Sequence, residues 1–252
     1  MRIGGIVDMS TVDWYGNVSL VVFFAGCNFR CPYCQNSGLI HLDSGEEVGL
    51  GAIRKRIEAN MEPVPQLDAV VFTGGEPLIQ PEAALAAGRM VKELGLKLML
   101  DTNGSIPRAV EQLLRAEVID RVALDIKAPL APKDYKVVAG LSEDCESMVE
   151  GVITTLEICN NHGVEVEART TVAPMISDDP DFIRLIAQEV RDRCDVYYLQ
   201  QFDNTGEVLS PLLKSLSPPT RERMVELAKV AVDEGVGEVY IKTRKHGLER
   251  VD

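Results

Sequence analysis

The chain lacks long apolar runs and an excess of basic residues. Among its 252 residues, no segment reaches the roughly 18–20 apolar residues that a membrane-crossing helix needs. The first residues also lack the apolar core of a signal peptide. The 39 acidic and 26 basic residues give a net charge of -13, which argues against nucleic acid as the main partner, because phosphate binding needs clustered Lys and Arg. We therefore expect a cytoplasmic protein with reduced thiols and no membrane contact.

Low-complexity segments, linkers rich in serine and glycine, and short repeats are also missing. A chain of this length typically removes about 70–75% of its unfolded surface from water, so we expect a sizeable core. Basic residues cluster near the C-terminus, where we expect a solvated tail: Lys242, Arg244, Lys245, His246 and Arg250.

Apolar strand-like runs alternate with helical patterns along the chain. Strands are predicted at Ser19–Ala25, Ala69–Thr73, Lys97–Thr102, Arg121–Ile126, Val164–Val172, Val196–Phe202 and Glu238–Thr243. Helices are predicted at Leu50–Asn60, Pro81–Leu94, Pro107–Ala116, Ser147–His162, Asp179–Arg193 and Pro219–Glu234. Gly163 and Gly235 follow two of these helices and are good helix stops.

Alternating strands and helices imply a parallel sheet joined by crossover helices. The strands are short and nearly all apolar, as expected when both faces of a sheet are buried. A doubly wound open sheet and a barrel both fit this pattern. In either fold the site forms at the carboxyl ends of the strands, and here polar motifs directly follow several different strands. A site supplied by so many strands favours a barrel or part of one.

Three cysteines lie close together after the first predicted strand. Cys27, Cys31 and Cys34 have a Cx3Cx2C spacing, which suits a [4Fe–4S] cluster with one iron left open. A structural zinc site needs four ligands, and the next cysteine is Cys145, so a cluster is favoured. His41 is a possible fourth ligand, which leaves zinc open as an alternative. Cys145, Cys159 and Cys194 are isolated and are expected to be core or surface thiols.

With Tyr33 before the last cysteine, this loop resembles the signature of the radical S-adenosylmethionine (SAM) enzymes. The resemblance implies an α/β fold with a partial (β/α)6 TIM-like barrel, a [4Fe–4S] cluster and bound SAM. It also implies that the open iron is chelated by SAM, which one electron cleaves to methionine and a 5′-deoxyadenosyl radical. We expect a single radical SAM domain over 1–252, with an N-terminal arm at 1–17, a barrel core at about 18–202 and a C-terminal helix and strand at about 203–252.

Two motifs follow the second and third predicted strands. Gly74 and Gly75 let the backbone approach a ligand closely, and Glu76 offers a carboxylate to an ammonium group. Each motif is also compatible with an ordinary turn. The first resembles the GGE motif that holds the SAM amino group. The second, with Asp101 and Asn103, resembles the DTNG motif of glycyl-radical-enzyme activating enzymes, whose residues approach SAM.

A further motif follows the fourth predicted strand. Asp125 and Lys127 are two residues apart in an extended segment, so their side chains point the same way. They resemble a motif of the same activating enzymes that contacts the SAM carboxylate and a nearby cation. Arg169, within the fifth strand, either faces SAM or forms a structural salt bridge.

Some activating enzymes present a histidine near the end of the sixth strand, and this chain has none there. Either Gln200 or Gln201 replaces this histidine near SAM, or the contact is absent. Trp14 and Tyr15 in the N-terminal arm are expected to belong to the core or to a lid rather than to contact substrate.

Taken together, the motifs resemble those of the activating proteins of anaerobic ribonucleoside-triphosphate reductase. The opening Gly4–Asp8 and Trp14–Gly16 segments, Gln35–Asn36 beside the cysteines and the Tyr240–Arg244 ending all fit this family, and the cysteine-rich insert of larger activating enzymes is missing. The resemblance implies an oxidoreductase that generates a glycyl radical on a partner enzyme and takes electrons from a low-potential donor such as flavodoxin or ferredoxin. Two alternatives remain: a radical SAM enzyme acting on a small molecule or another peptide, and a non-catalytic zinc or electron-transfer protein.

Overall fold

The structure, a computed structural model, describes residues 1–141 and 145–252. Its strands are β1 Arg2–Ser10, β2 Ser19–Phe24, β3 Glu46–Glu47, β4 Ala69–Gly74, β5 Lys97–Thr102, β6 Arg121–Asp125, β7 Glu165–Val172, β8 Val196–Gln201, β9 Val239–Thr243 and β10 Gly247–Val251. Its α-helices are α1 Leu50–Ala59, α2 Pro81–Glu93, α3 Pro107–Arg115, α4 Pro132–Val138, α5 Cys145–His162, α6 Pro180–Val190, α7 Pro211–Ser215 and α8 Arg221–Asp233.

The chain divides into two compact units. The first unit consists of Met1–Asn28, Gly38–Thr102 and Arg108–Val122. Its strands follow the order β5-β4-β2-β1-β3, in which β2, β4 and β5 are parallel and β1 is antiparallel to β2 and β3. The helices α1 and α2 make the crossovers, and the parallel strands are almost wholly buried. This is the arrangement that the apolar runs predict.

The second unit consists of Phe29–Ser37, Asn103–Pro107 and Ala123–Asp252. Strands β7, β8 and β9 are parallel, and β10 returns antiparallel to β9. Helix α6 connects β7 to β8, and α8 connects β8 to β9. Phe202 and Tyr197 are among its fully buried large side chains.

Helix ends agree with the local chemistry of the sequence. Asp179 and Thr220 act as N-caps, because their side chains accept hydrogen bonds from the backbone N–H groups of Phe182 and Arg223. Gly163 and Gly235 have φ angles of 65° and 90°, which L-residues with side chains rarely adopt. Both predicted helix stops are therefore confirmed.

All of the predicted strands and helices are present, with bounds that differ by up to three residues. Strands β1, β3 and β10 and the short helices α4 and α7 are present in the structure without having been predicted. Strand β1 was assigned to an arm because its alternation is weak: it contains Gly4 and Gly5, has irregular register beside Gly5, and leaves Val7 and Met9 exposed.

The basic C-terminal cluster does not form a tail. Lys242 lies in β9 and Arg250 in β10, and the two strands form a hairpin in which Leu248 is opposite Lys242. The guanidinium of Arg250 lies 3.5 Å from Glu238 Oε1 and 3.0 Å from Asp252 Oδ1. The expectation of a tail was wrong, because the segment forms a hairpin, whereas the expected exposure to solvent holds for Arg244, Lys245, His246 and Arg250.

A search for membrane-crossing helices in residues 1–141 and 145–252 finds none that is both long and apolar enough.

Candidate functional site

In the first unit, Cys27 follows β2, and hydrogen bonds to a neighbouring segment of the same chain fix its backbone. Gly26 has a φ of 92°, a left-handed conformation that favours glycine. The N–H groups of Gly26 and Cys27 donate to the carbonyls of Leu39 and Ile40 at 2.8 and 2.9 Å. The Cys27 side chain is half-buried and forms no disulfide.

The Gly74–Gly75 turn packs backbone against backbone at the end of β2. A Cβ on Gly75 would lie 2.2 Å from the Gly26 carbonyl oxygen, and one on Gly74 would lie 2.4 Å from the Phe24 oxygen. The N–H of Gly75 donates to Phe24 at 2.8 Å, and that of Glu76 donates to Gly26 at 2.8 Å. Glycine is therefore required at both positions by the close approach of two chain segments. The same contacts place this turn directly beside the residue that precedes Cys27.

Glu76 is the most deeply buried carboxylate of the predicted site, with 1% of its surface exposed. Its Oε1 accepts hydrogen bonds from the N–H of Leu78 at 3.0 Å and from the hydroxyl of Thr102 at 2.9 Å. The first bond caps a short helical turn, and the second fixes the carboxylate relative to the end of β5. The side chain is therefore held in one orientation before any ligand binds.

The Asp101–Gly104 motif forms a turn whose amide side chain is used locally. The Oδ1 of Asn103 accepts hydrogen bonds from the N–H and the hydroxyl of Ser105, at 3.0 and 2.6 Å. Gly104 has a φ of 75°, and its carbonyl accepts a bond of 2.7 Å from Thr155. Asn103 therefore stabilises the turn, as the ordinary-turn alternative expects, and its role toward SAM stays a prediction.

In the second unit, Cys31 and Cys34 lie in one tight turn. The N–H of Cys34 donates to the Cys31 carbonyl at 3.0 Å, and 7% of Cys31 is exposed. Burial raises the pKa of the Cys31 thiol to about 11 and also raises the pKa of Cys34, against the opposing field of Lys127. In the ligand-free protein both groups are thiols at neutral pH, and binding a metal would release their protons.

Asp125 and Lys127 form an ion pair, as their spacing predicts. Lys127 Nζ lies 2.7 Å from Asp125 Oδ2, and 16% and 29% of the two side chains are exposed. Desolvation is the largest single effect and lowers the pKa of Lys127. The Asp125 carboxylate, Tyr33 and Cys31 together outweigh it and hold the pKa well above its usual range. The backbone N–H of Lys127 donates to the Tyr135 hydroxyl at 3.3 Å. A fixed cation therefore lies in the same unit as two of the cysteines.

The cysteine turn is held from both sides by segments that sequence reasoning did not identify. On one side, the N–H of Arg30 donates to the Ala139 carbonyl at 2.9 Å, and a Cβ on Gly140 would lie 2.2 Å from the Arg30 oxygen. The positive φ of Gly140, 62°, marks this approach, and a glycine after a short helix was the available signal.

On the other side, the segment after β8 runs along the turn. The N–H groups of Leu209 and Ser210 donate to the carbonyls of Cys34 and Pro32, at 3.2 and 2.9 Å. Gln35 Nε2 donates to the Asp203 carbonyl at 3.2 Å. We call residues 203–210 the outer bracket of the cysteine turn. No residue type in this segment distinguishes it from an ordinary loop in the sequence.

Several other candidates have structural partners. Arg169 pairs with Glu167 on the same strand, both nearly fully buried, which supports the salt-bridge alternative. Gln201 donates to the Pro219 carbonyl at 2.7 Å and accepts from the Arg244 N–H at 2.9 Å, so both ends of its amide are engaged.

The remaining candidates differ mainly in burial. Gln200 is half-buried, and His41 is exposed. Trp14 is buried with 5% exposed, as the core alternative expects, and Tyr15 is half-buried. Cys159 is fully buried, and Cys145 and Cys194 are half-buried free thiols.

The residues present fit an iron–sulfur cluster and SAM by their chemistry. Cys27, Cys31 and Cys34 form no disulfide, so their sulfurs are of the type that a cluster binds, and the buried Glu76 carboxylate suits an ammonium group. Among the residues that the structure describes, no three His, Cys, Asp or Glu side chains are arranged so that they could hold a metal ion. The three-cysteine ligand set therefore stays a prediction from the motif.

Comparisons with known proteins give the class of this fold. A radical SAM methyltransferase from Sphaerobacter thermophilus superposes with a TM-score of 0.72 at 15% identity, covering 91% of this chain and 67% of that chain. The predicted fold class, an α/β radical SAM fold with a partial barrel, is confirmed by this likeness and by the family match.

The family follows from the sequence comparisons. A family model described as the Radical SAM superfamily matches residues 21–186. The "Putative glycyl-radical enzyme activating enzyme" of Methanocaldococcus jannaschii is 35% identical over 229 residues, which is 91% of each chain. The pyruvate formate-lyase-activating enzyme of Clostridium pasteurianum is 31% identical over 195 residues, 76% of each chain. The chain belongs to the radical SAM superfamily and is homologous to glycyl-radical-enzyme activating enzymes, which confirms the predicted class of enzyme.

Proposed function

We propose that this protein is a radical SAM activase that generates a glycyl radical on a partner enzyme, with anaerobic ribonucleotide reductase as the partner. The observation that carries the proposal is the placement of the motifs. The GGE, DTNG and Asp125–Lys127 motifs each begin at the last residues of a strand, β4, β5 and β6, and the cysteine loop follows β2. Similarity to activating enzymes over 91% of the chain supports the same reaction.

The residues present supply binding and orientation. Cys27, Cys31 and Cys34 would hold the cluster, and Glu76 would accept the SAM ammonium in a buried, charge-assisted hydrogen bond. The Lys127 ammonium has three N–H donors and uses one toward Asp125, which leaves donors for a carboxylate. When bound, the [4Fe–4S] cluster and SAM supply one electron and a 5′-deoxyadenosyl radical that takes a hydrogen atom from the partner's glycine.

The surroundings of the reaction follow from the same chemistry. A low-potential donor such as flavodoxin or ferredoxin would supply the electron, and the cytoplasm would keep the thiols reduced. The short connection from Cys34 to Gly74 contains no cysteine, so a second cluster is not expected there. A glycine substrate has no side chain to block its approach, and its flexible backbone suits entry into a site.

The test uses the protein reconstituted anaerobically with iron and sulfide, then given SAM and a reductant. Formation of 5′-deoxyadenosine establishes SAM cleavage. Addition of the ribonucleotide reductase from the same organism should give a glycyl doublet in electron paramagnetic resonance, and a glycine-to-alanine change in that partner should remove it. A pyruvate formate-lyase-type enzyme is the matched second partner, because a relative is named as the activating enzyme of pyruvate formate-lyase.

The outcomes separate the alternatives. A doublet only on the second partner keeps the activase but replaces its partner. If SAM is cleaved productively only with a small molecule, and neither partner gains a radical, the small-molecule alternative is correct.

A further inference from the structure

The Tyr33 hydroxyl is a buried polar group that the free protein leaves unsatisfied. Only 4% of Tyr33 is exposed, and within residues 1–141 and 145–252 its hydroxyl oxygen has no hydrogen-bond partner of full geometry. Buried Tyr hydroxyls usually find a partner, because leaving one without a bond costs about 1–3 kcal/mol. Because the free protein bears this cost at Tyr33, we expect a bound group that accepts a hydrogen bond from its hydroxyl.

Tyr33 lies between Cys31 and Cys34, within the tight turn that the backbone bond from Cys34 to Cys31 closes. The charges that act on Tyr33 come from Cys31, Lys127 and Asp125, and the Tyr135 hydroxyl acts on it as well. Lys127 has no acceptor atom, and the Asp125 carboxylate faces the Lys127 ammonium.

Among these groups, the Cys31 sulfur is the one toward which the Tyr33 hydroxyl acts as a donor, and this lowers the pKa of the Cys31 thiol against the larger effect of burial. A protonated thiol is a weak acceptor. A thiolate on iron carries negative charge and is a stronger one.

We propose that the Tyr33 hydroxyl donates a hydrogen bond to the Cys31 sulfur when the cluster is bound, and that this bond raises the reduction potential of the cluster. Tyr33 is then a positioning residue that acts on the cluster through a ligand. Its aromatic ring fills space in the core, and its hydroxyl has a separate role.

The physical basis is the charge change on reduction. Reduction adds negative charge to the cluster, and hydrogen bonds to its sulfurs are among the factors that set its potential. A donor aimed at a ligand sulfur stabilises the reduced form more than the oxidised form. Removing that donor should therefore make the cluster harder to reduce, without removing a ligand.

The proposal rests on the three-cysteine cluster that the proposed function requires, so the main test is made on the reconstituted protein. Tyr33→Phe removes only the hydroxyl. Iron content should stay unchanged, and the midpoint potential from an anaerobic redox titration should become more negative. At the potential that half-reduces the unsubstituted protein, fewer than half of the variant clusters should be reduced.

A second measurement on the cluster-free protein does not depend on the cluster. Because Tyr33→Phe removes an unsatisfied polar group, the variant should unfold at an equal or higher denaturant concentration. The matched control is Tyr197→Phe: Tyr197 is also fully buried, but its hydroxyl lies 2.9 Å from Thr170 Oγ1. That variant should unfold at a lower concentration and keep the potential unchanged.

Three results would overturn the inference. The first is a normal cluster in Tyr33→Phe with an unchanged potential. The second is a loss of SAM affinity without a shift in potential, which would assign the hydroxyl to SAM. The third is a cluster-free Tyr33→Phe protein that is destabilised as much as Tyr197→Phe, which would show a bond within the protein. The proposed function fails separately, if the unsubstituted protein forms no cluster or no 5′-deoxyadenosine.

Discussion

The first unit fixes its glycine turn against the end of one strand, whereas the second holds its cysteine turn between two separate segments and adds an ion pair. In the first, Gly75 lies so close to Gly26 that no side chain fits. In the second, the outer bracket is hydrogen-bonded to the cysteine turn, and the charges of the Asp125–Lys127 pair act on Cys31. The first unit should therefore respond to added volume and the second to removed charge.

The largest effects are expected at the cysteines, one of which belongs to the first unit and two to the second. Replacing Cys27, Cys31 or Cys34 with Ala removes a predicted ligand, so each variant should lose SAM cleavage completely. Cys145→Ala, Cys159→Ala and Cys194→Ala are the controls and should keep about the iron content of the unsubstituted protein, near four per cluster. Iron analysis and the 5′-deoxyadenosine yield measure both. An empty site in Cys145→Ala alone would contradict the ligand assignment.

The next largest effects are expected on SAM binding. Glu76→Gln keeps the shape but removes the charge that we propose faces the SAM ammonium. Lys127→Met removes the charge that we propose faces the SAM carboxylate. Losing a charge-assisted hydrogen bond costs about 1.5–3 kcal/mol, or roughly ten- to a hundredfold in affinity. Equilibrium binding of SAM to the reconstituted protein measures this.

The two variants should differ in their side effects. Lys127→Met should leave the spectrum of the cluster unchanged, although it removes the cation that pairs with the Asp125 carboxylate. Unchanged SAM affinity in both variants would contradict the contacts carried over from the family. The pair therefore tests whether the two units contribute binding energy of similar size.

The sequence predicts the elements whose physical causes are local. Apolar runs mark the parallel strands, Gly163 and Gly235 mark helix ends, and Gly74 and Gly75 mark a close approach of backbone. The motifs at the strand ends follow from the same pattern. These features depend on residue types that differ visibly from their neighbours.

Long-range contacts between ordinary residues could not be predicted in the same way. The outer bracket meets the cysteine turn through backbone groups, for example at Leu209 and Cys34, and any residue type supplies those groups. Gln201 was a candidate for SAM, but its amide connects Pro219 to Arg244. A polar residue at a strand end satisfies the backbone of a neighbouring segment as readily as it binds a ligand, and only the fold decides between them.

A smaller effect is expected from Gly75→Ala, which should lower the stability of the protein by disturbing the close backbone packing of the first unit. The new methyl group would lie 2.2 Å from a backbone oxygen, and backbone cannot move as a flexible side chain does. Overpacking of this kind costs about 1–3 kcal/mol. The control is Gly206→Ala, where a Cβ meets nothing within 4 Å and should change stability little. Denaturant unfolding of the cluster-free proteins measures both, and equal stability would contradict the rigidity assigned to the first unit.

The smallest effect is expected at the outer bracket in the second unit. Asp203 Oδ1 accepts from the N–H and the hydroxyl of Thr205, at 2.9 and 2.7 Å, and lies 3.7 Å from the Arg244 guanidinium. Asp203→Ala removes these contacts, each worth about 1 kcal/mol or less at an exposed site. The amides of Leu209 and Ser210 should then exchange with solvent a few times faster, because the bracket opens more often.

The control for the bracket is Asp252→Ala, which removes an exposed carboxylate that pairs with Arg250 in the hairpin. It should leave the exchange at Leu209 and Ser210 unchanged. Hydrogen exchange followed by mass spectrometry on the cluster-free protein resolves the segment. If Asp203→Ala exchanges no faster than the control, the backbone bonds to Pro32 and Cys34 hold the turn by themselves. The side chains of the second unit would then matter for its charge and not for its geometry.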